Sequence, residues 1–252
     1  MPDIRYAQFC PLTRAVEILG ERWTLLLLRE LVPGPQRFSD LKARLPGVSS
    51  SVLAGRLARL EDKGLIAKRD LPAPAASTVY ELAEAGRALR PVMMELIRWG
   101  MRFLGEPCPE ERFEPRWMLM GLQTFARREA TPTCSLRVVI AAKPEDFEIH
   151  ISGGPEGTDV SVLPRPSQAC VRTEEFDLLL LANGLLDVGE AIACGRIRVE
   201  GDARAVAAIP RLFDFRPPPD PESIHRGTPA QTSMERVIPP RNSRNKTQGA
   251  TR

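Results

Sequence analysis

Hydroxyl and guanidinium side chains cluster in residues 49–63, and their chemistry suits a polyanion. Ser49, Ser50 and Ser51 come first, and Arg56 and Arg59 follow. Hydroxyl groups bind phosphates and base edges, and arginine binds phosphate or guanine. These residues therefore have the chemistry needed to contact DNA through its major groove. The alternative is a solvated helix face without a ligand, and this short run taken alone favours it.

The apolar residues of the same stretch predict that it forms a helix docked on a core by one side. They recur at helical spacing at Val48, Leu53, Leu57, Leu60 and Leu65. A serine at 49 or 50 can cap the first turn, and Gly64 can end the helix in a left-handed conformation. Such a helix presents its hydroxyls at the N-terminus and its arginines along the flank.

The positive charge of the chain is concentrated around this helix. The net charge is +3, yet residues 37–69 contain eight basic and three acidic side chains. Residues 105–215 contain 12 basic and 18 acidic side chains. A basic patch beside an acidic region predicts a polyanion ligand for the first part of the chain only.

Length and composition set the broad class. The 252 residues are enough for two domains, and no apolar run is long enough to span a membrane. No signal peptide opens the chain. The five cysteines are scattered without CxxC spacing, which argues against a disulfide framework or a structural zinc site. We therefore expect a cytoplasmic protein with no membrane partner.

The elements around the predicted helix complete a winged helix-turn-helix. Helices are predicted at 11–20, at 22–31 and from Ser39 to 44, followed by a turn at 45–48. Two strands, 65–69 and 78–82, form a hairpin directly after the helix, which is the position of a wing. A long helix at 84–104, kinked at Pro91, has more apolar surface than one domain needs. We interpret the surplus as a dimer contact shared with the first helix.

The second half has the pattern of an α+β domain. Residues 106–115 form a predicted linker, and 116–128 a helix. Alternating apolar residues predict an antiparallel sheet with one covered face; its strands are 135–141, 147–152, 159–163 and 169–172. Helices at 175–183, 187–194 and 203–213 and a strand at 196–200 complete the domain. Residues 216–252 are predicted to be disordered.

Three stretches of the first half resemble the HxlR-type winged-helix regulators, which are relatives of the MarR group. They are CPLTRAVEILGERWTLLLLREL, RFSDLKARLPGVSSSVLAGRLARLEDKGLI and VYELAEAGRALRPVMMELIRWG. The resemblance implies a transcription factor that binds double-stranded DNA operators as a homodimer. Two-fold symmetry would place the paired recognition helices about one DNA turn, ~34 Å, apart.

The candidate DNA-binding residues follow from this resemblance and from the charge pattern. They are Arg37, Ser39, Ser49, Ser50, Ser51, Arg56, Arg59, Lys68 and Arg69. Members of the family usually carry longer polar side chains where Ala54 and Gly55 stand here. The wing tip also lacks a frequent arginine, with Ser77 in that region. We therefore expect specificity to depend on Ser50, Ser51, Arg56 and DNA shape. For Arg59 and Lys63 the alternative is an ion pair with a nearby acid such as Glu61.

The stretch FDLLLLANGLLDVGEAIACGRIRVEGDARAVAAIPRLF resembles the sterol-carrier-protein type of lipid-binding domain. That resemblance implies an apolar cavity between sheet and helices, and hence an apolar small-molecule effector. The candidate wall residues are Trp117, Met120, Phe125, Leu179, Leu181, Leu185 and Ile192. The alternative for each of them is an ordinary core position.

Cys10 is a redox candidate because it directly precedes the helix start at Pro11, where the helix dipole favours a thiolate. In some HxlR-type proteins a cysteine at the matching position senses oxidants or electrophiles. The alternative is a small packing residue at the dimer edge.

These observations give an α+β fold class: an N-terminal winged helix-turn-helix followed by an α+β sterol-carrier-like ligand-binding domain. The predicted parts are an arm (1–9), the winged domain (10–105), a linker (106–115), the second domain (116–215) and a tail (216–252). No catalytic constellation is present, since His150 and His225 are isolated. We therefore predict a homodimeric DNA-binding regulator controlled by an apolar ligand, not an enzyme, with no cofactor and no metal. The alternatives are redox control through Cys10 and a lipid carrier that the winged half dimerises.

Overall fold

The first unit of the structure is a three-helix core flanked by a small sheet and three further helices. The computed structural model describes residues 5–73, 76–103, 111–143 and 145–215. The elements of this unit are α1 Pro11–Leu19, α2 Thr24–Leu31, β1 Gln36–Arg37, α3 Phe38–Arg44, α4 Ser50–Asp62, β2 Ile66–Asp70, β3 Thr78–Leu82, α5 Glu84–Ala88 and α6 Arg90–Gly100. Strands β2 and β3 form the predicted antiparallel wing hairpin. The two-residue strand β1, which the sequence did not predict, pairs with the other edge of β3.

Helix α4 forms as the apolar spacing predicts. Ser49 is its N-cap, and the Ser49 Oγ accepts a hydrogen bond of 3.2 Å from the Val52 N–H. Gly64 takes a φ of +68°, the left-handed conformation expected just past the helix end. The predicted apolar stripe is buried in the core of this unit: Val48, Leu53, Leu57, Leu60 and Leu65.

Helices α2 and α3 start at residues other than those predicted. Helix α2 begins at Thr24, because Trp23 takes a left-handed φ of +78° that a helix cannot include. Helix α3 begins at Phe38, and Arg37 is its N-cap in place of Ser39. The Asp40 carboxylate accepts a hydrogen bond of 3.3 Å from the Arg37 N–H and so fixes this earlier start.

The long helix predicted at 84–104 is two helices, α5 and α6. Pro91 lies in the first turn of α6, where its missing N–H costs no hydrogen bond. The chain therefore breaks at Leu89 and restarts, instead of bending through a kink. A short 3₁₀ turn, Met101–Phe103, follows α6.

The second unit contains a five-stranded sheet in the order β6-β5-β4-β7-β8. Its elements are α7 Met118–Phe125, β4 Cys134–Ile140, β5 Phe147–Gly154, β6 Gly157–Ser161, β7 Ala169–Thr173, α8 Glu175–Ala182, α9 Val188–Ala193, β8 Arg198–Gly201, α10 Ala203–Val206 and α11 Ile209–Leu212. The predicted antiparallel sheet is wrong at one pairing, because β7 runs parallel to β4. The chain meanders through β4, β5 and β6 and then returns to the free edge of β4.

Two helices of the second unit differ from the prediction by more than one residue at an end. The helix expected at 116–128 is α7 preceded by a 3₁₀ turn, Pro115–Trp117. The helix expected at 203–213 is split into α10 and α11, and Pro210 lies in the first turn of α11. One sheet face is covered as predicted, and its apolar side chains form a core with α7, α8, α10 and α11.

The two units are joined by side chains as well as by the chain itself. Met120 of α7 is buried in the core of the first unit rather than in that of the second. Arg90 donates a hydrogen bond of 2.7 Å to the Gln123 Oε1, and Arg98 donates one of 2.6 Å to the Thr124 carbonyl. Residues 106–110 of the predicted linker (106–115) and the predicted disordered tail (216–252) lie outside the described residues.

Candidate nucleic-acid interface

The N-terminus of α4 presents its hydroxyl groups to solvent. Ser49, Ser50 and Ser51 are all exposed, and the Oγ atoms of Ser49 and Ser51 lie 3.0 Å apart. Farther along the same face, Ala54, Gly55 and Ala58 are exposed, and a Cβ added at Gly55 would meet nothing within 4 Å. The outer side of α4 is therefore a smooth surface of small residues, which permits close approach of a duplex.

The Arg56 side chain does not face outward as the sequence predicts. Its guanidinium forms an ion pair with Glu21, and its Nε donates a hydrogen bond of 3.3 Å to the Arg22 carbonyl. Only 12% of the side chain is exposed. Burial, together with the charge of Arg59, lowers the pKa of Arg56 from its ordinary value. An arginine remains protonated through such a shift, so the group stays cationic but points toward the α1–α2 turn.

Arg59 binds the same carboxylate. Its guanidinium pairs with Glu21 and also donates a hydrogen bond of 2.9 Å to the Glu17 carbonyl. The alternative of an acidic partner for Arg59 is therefore confirmed, although the acid is Glu21 and not Glu61. Lys63 lies 3.5 Å from Asp62. Glu21 is the residue that sequence reasoning missed, since a pairing across 35 positions leaves no local pattern.

The remaining candidate residues lie on β1, α3 and the wing. The Nε of Arg37 donates a hydrogen bond of 3.0 Å to the Ser77 Oγ, which ties β1 to the base of the wing. Ser39 is exposed beside Asp40. Lys68 is exposed on β2, and Arg69 forms an ion pair of 3.0 Å with Glu81. Ser39, Lys68 and the α4 serines are thus exposed candidates, while four arginines are engaged by protein groups, two of them, Arg37 and Arg69, at exposed positions.

The seven candidate wall residues of the apolar cavity are not brought together. Met120 belongs to the core of the first unit, and Phe125 and Leu181 are buried in the core of the second. Leu185 and Ile192 are 45% and 40% exposed. Leu179 packs at the edge of the second core, and Trp117 lies at the junction of the units. The α8 stretch turns once every 3.6 residues, so neighbouring leucines face different directions and cannot line one cavity.

Cys10 occupies the N-cap of α1 and is exposed. Hydrogen bonds from the backbone N–H groups of Thr13 and Leu12, and from the Thr13 hydroxyl, lower the pKa of its thiol. This environment favours the thiolate, as the sequence position predicts.

Large apolar side chains of α1 and α6 are exposed within the described part of the chain. They recur at helical spacing: Leu12 and Val16 on α1, Val92, Leu96 and Trp99 on α6, and Phe103 just beyond. The rings of Trp99 and Phe103 contact each other with centroids 4.7 Å apart.

Among the described residues, no helix is long and apolar enough to cross a membrane.

Comparison with known proteins finds that the first unit is similar to a family of helix-turn-helix proteins. A model described as "HxlR-like helix-turn-helix" matches residues 18–107. An uncharacterised HTH-type transcriptional regulator of Bacillus subtilis, YvaP, is 35% identical over 99 residues, which are 39% of this chain and 92% of YvaP. The HTH-type transcriptional regulator YodB of the same organism is 35% identical over 108 residues, 41% of this chain and 96% of YodB.

The solved structure of the reduced form of YodB is similar with a TM-score of 0.35 and 32% identity, and the match covers 42% of this chain and all of that one. The relatives are transcriptional regulators, which confirms the prediction that the chain is not an enzyme. Residues beyond 107, including the whole second unit, lie outside the family match.

Proposed function

Because the chain belongs to the HxlR-like helix-turn-helix family of DNA-binding transcriptional regulators, we propose that it binds operator DNA as a homodimer, in the cytoplasm, through paired α4 helices. The observation that carries this proposal is the smooth, exposed outer face of α4 with three serines at its N-terminus. Hydroxyls and N-terminal N–H groups bind phosphates and base edges, and small residues let the helix enter the major groove deeply.

The homodimer is supported by the apolar face of α1 and α6. Large apolar side chains that recur at helical spacing along α1 and along α6 rarely stay in contact with water in a monomer. A second copy of the same face would cover them around a two-fold axis, which is the commonest symmetry of soluble oligomers. The two-fold axis would also place two α4 helices on one side of a duplex.

The decisive experiment is retardation of promoter fragments from the protein's own genomic neighbourhood, with Ser50→Asp as the test variant. We expect wild-type protein to retard a specific fragment and Ser50→Asp to lose that binding, because the new carboxylate would lie at the exposed N-terminus of α4 and repel the phosphates, while an acid in the first turn does not destabilise the helix. Lys68→Ala should weaken binding and reduce the log-salt slope by about one unit. Arg165→Ala is the control, because Arg165 is an exposed arginine of the second unit. Failure to retard any fragment at low ionic strength would overturn the proposal.

Control of DNA binding by an apolar small molecule held by the second unit is the regulatory part of the proposal. It is supported by the packing of that unit on the helix-turn-helix: the Trp117 Nε1 donates a hydrogen bond of 2.8 Å to Glu30 of α2. The second unit is an α+β domain, and its likeness to sterol-carrier domains remains part of this proposal. A ligand that binds two arrangements of the units unequally would shift operator affinity by that difference.

Redox control through Cys10 is the second candidate, and the favoured thiolate at the α1 N-cap supports it. Cys10 precedes Leu12 of the proposed dimer face by two residues, so oxidation there would act on the spacing of the two α4 helices. Operator titration before and after treatment with peroxide or a quinone tests this candidate. Unchanged affinity would exclude it.

A further inference from the structure

A cavity of about 350 Å³ lies at the junction of the two units. Its apolar walls come from Trp23, Leu26, Leu45 and Pro46 of the first unit and from Trp117 of the second. Its volume falls at the lower end of the range for small-molecule sites, roughly 300–1,000 Å³. Trp117 lies beyond the part of the chain that resembles the family. The cavity is therefore a feature of this two-unit chain.

Arginines surround these apolar walls. The Arg29 guanidinium lies 3.8 Å from the centroid of the Trp117 ring. Arg44 donates a hydrogen bond of 2.6 Å to the amide oxygen of Gln36, so its charge is bound to a neutral group. Arg112 lies 3.7 Å from Glu114, a loose ion pair that leaves its guanidinium able to bind another anion. Glu114 itself also lines the cavity, so the rim above the apolar floor holds three arginines and one carboxylate and has an excess of positive charge.

Glu30 holds two of the lining residues, Trp117 and Arg29, in place. This carboxylate is fully buried and accepts hydrogen bonds from the Trp117 Nε1 (2.8 Å) and from Arg29 (2.7 and 3.0 Å). Its second oxygen lies 3.8 Å from the Nε of Arg116, and within the described residues neither atom has a hydrogen-bond partner. A buried charge keeps its neighbours in fixed positions, so the Trp117 ring and Arg29 are organised before any ligand arrives.

We propose that this cavity binds an aromatic carboxylate, with its ring against Trp23 and Trp117 and its carboxylate on Arg112 and Arg44. Aromatic rings pack well on tryptophan, and arginine binds carboxylates through two parallel hydrogen bonds. A neutral aromatic compound of the same shape gains only the first of these contacts. The site therefore selects organic anions over neutral apolar molecules, which is narrower than the apolar effector predicted for the second unit.

The regulatory consequence depends on the proposed DNA-binding function. Trp23 lies two residues from Glu21, which holds Arg56, and Leu45 and Pro46 precede the α4 N-cap by three to four residues. A ligand that fixes Trp23 in its present position keeps Glu21 on Arg56. Binding of the carboxylate thereby lowers operator affinity.

Calorimetric titration of the full chain with 2-naphthoate tests the site without DNA. We expect saturable binding, and binding of the neutral 2-naphthamide that is at least tenfold weaker. Arg112→Gln removes an exposed cation and should weaken naphthoate binding about tenfold. Leu26→Phe should abolish it, because Leu26 is a cavity wall that is 41% exposed, and the larger side chain fills the space. Arg165→Gln, in the second unit, should bind as wild type.

Three results would overturn the site: no saturable heat at millimolar naphthoate, equal affinity for naphthamide, or unchanged affinity in both Arg112→Gln and Leu26→Phe. Operator retardation is measured in a separate titration. A protein that binds naphthoate and retards no DNA contradicts the proposed function and supports the site. A protein that retards its operator and binds no naphthoate contradicts the site alone.

Discussion

The Arg56 guanidinium on the recognition helix forms an ion pair with Glu21 in the turn between α1 and α2. The same carboxylate binds Arg59, so one acid neutralises part of the charge of two arginines that are 12% and 15% exposed. Phosphate groups of DNA would compete with Glu21 for these guanidinium groups. The strength of DNA binding therefore depends on how firmly Glu21 holds them.

Replacing Glu21 with glutamine should strengthen DNA binding and weaken the fold. Without the carboxylate, both guanidinium groups can turn to phosphates, so affinity at low salt should rise severalfold. The slope of log affinity against log salt should become steeper by about one unit. Thermal unfolding should show a loss of about 1–2 kcal/mol, because two partly buried arginines lose a charged hydrogen-bond partner.

The matched control for Glu21→Gln is Glu61→Gln, which removes an equal charge from an exposed position of α4. If general electrostatics explained the effect, both variants would bind DNA equally well. Equal gains would show that the release of Arg56 and Arg59 is not the cause.

Placing a charge on the apolar face of α6 should separate the proposed dimer. In Leu96→Asp the carboxylate would be buried without a partner at the subunit contact, which costs several kcal/mol. Sedimentation velocity should show a monomer, and operator affinity should fall at least tenfold. Leu163→Asp, at an exposed apolar position of the second unit, should remain a dimer. A dimeric Leu96→Asp would place the subunit contact elsewhere.

Cys10 should react with iodoacetamide at a lower pH than an ordinary thiol. The backbone N–H groups of Thr13 and Leu12 lower the pKa of its thiol, so the reactive thiolate is populated at lower pH. The rate of alkylation, followed by mass spectrometry of the Cys10 peptide, should level off below the pH seen for a cysteine in a short peptide. Thr13→Val should move the profile up, because it removes the hydroxyl contribution. Coincident profiles of protein and peptide would contradict the lowered pKa.

Alanine should be tolerated at Gly154 and not at Gly157. Gly157 has a φ of +96°, and a Cβ there would lie 2.4 Å from the Arg127 carbonyl oxygen. We expect Gly157→Ala to cost about 2 kcal/mol or more of unfolding free energy. Gly154→Ala, where a Cβ meets nothing within 4 Å, should change it by less than about 0.5 kcal/mol. Thermal unfolding of the two variants measures the difference, and equal melting temperatures would contradict the geometry of this turn.

Local patterns in the sequence predicted most of the elements. The i, i+4, i+7 leucines and Ser49 placed α4, and the wing strands were predicted within one residue of their observed ends. Period and capping depend on neighbours in the chain, so a single sequence reveals them. The strand β1 is too short, at two residues, to have a period of its own.

Contacts between distant parts of the chain could not be predicted from local sequence patterns. The Glu21 pairing with Arg56 and the parallel pairing of β7 with β4 each join segments that are about 35 residues apart. Their formation depends on how complete elements pack against each other. The prediction that seven apolar residues line one cavity was wrong for the same reason. The sequence around Met120 or Leu181 does not indicate which of the two cores the side chain packs in.

Met120 belongs to the second unit by its position in the chain, but its side chain packs in the core of the first unit. A fragment trimmed at residue 107, where the family likeness ends, would leave a gap in its own interior that Met120 fills in the intact chain. The core of the first unit is thus completed by a side chain of the second, and a fragment ending at residue 107 should unfold at a lower temperature than the first unit does within the full chain.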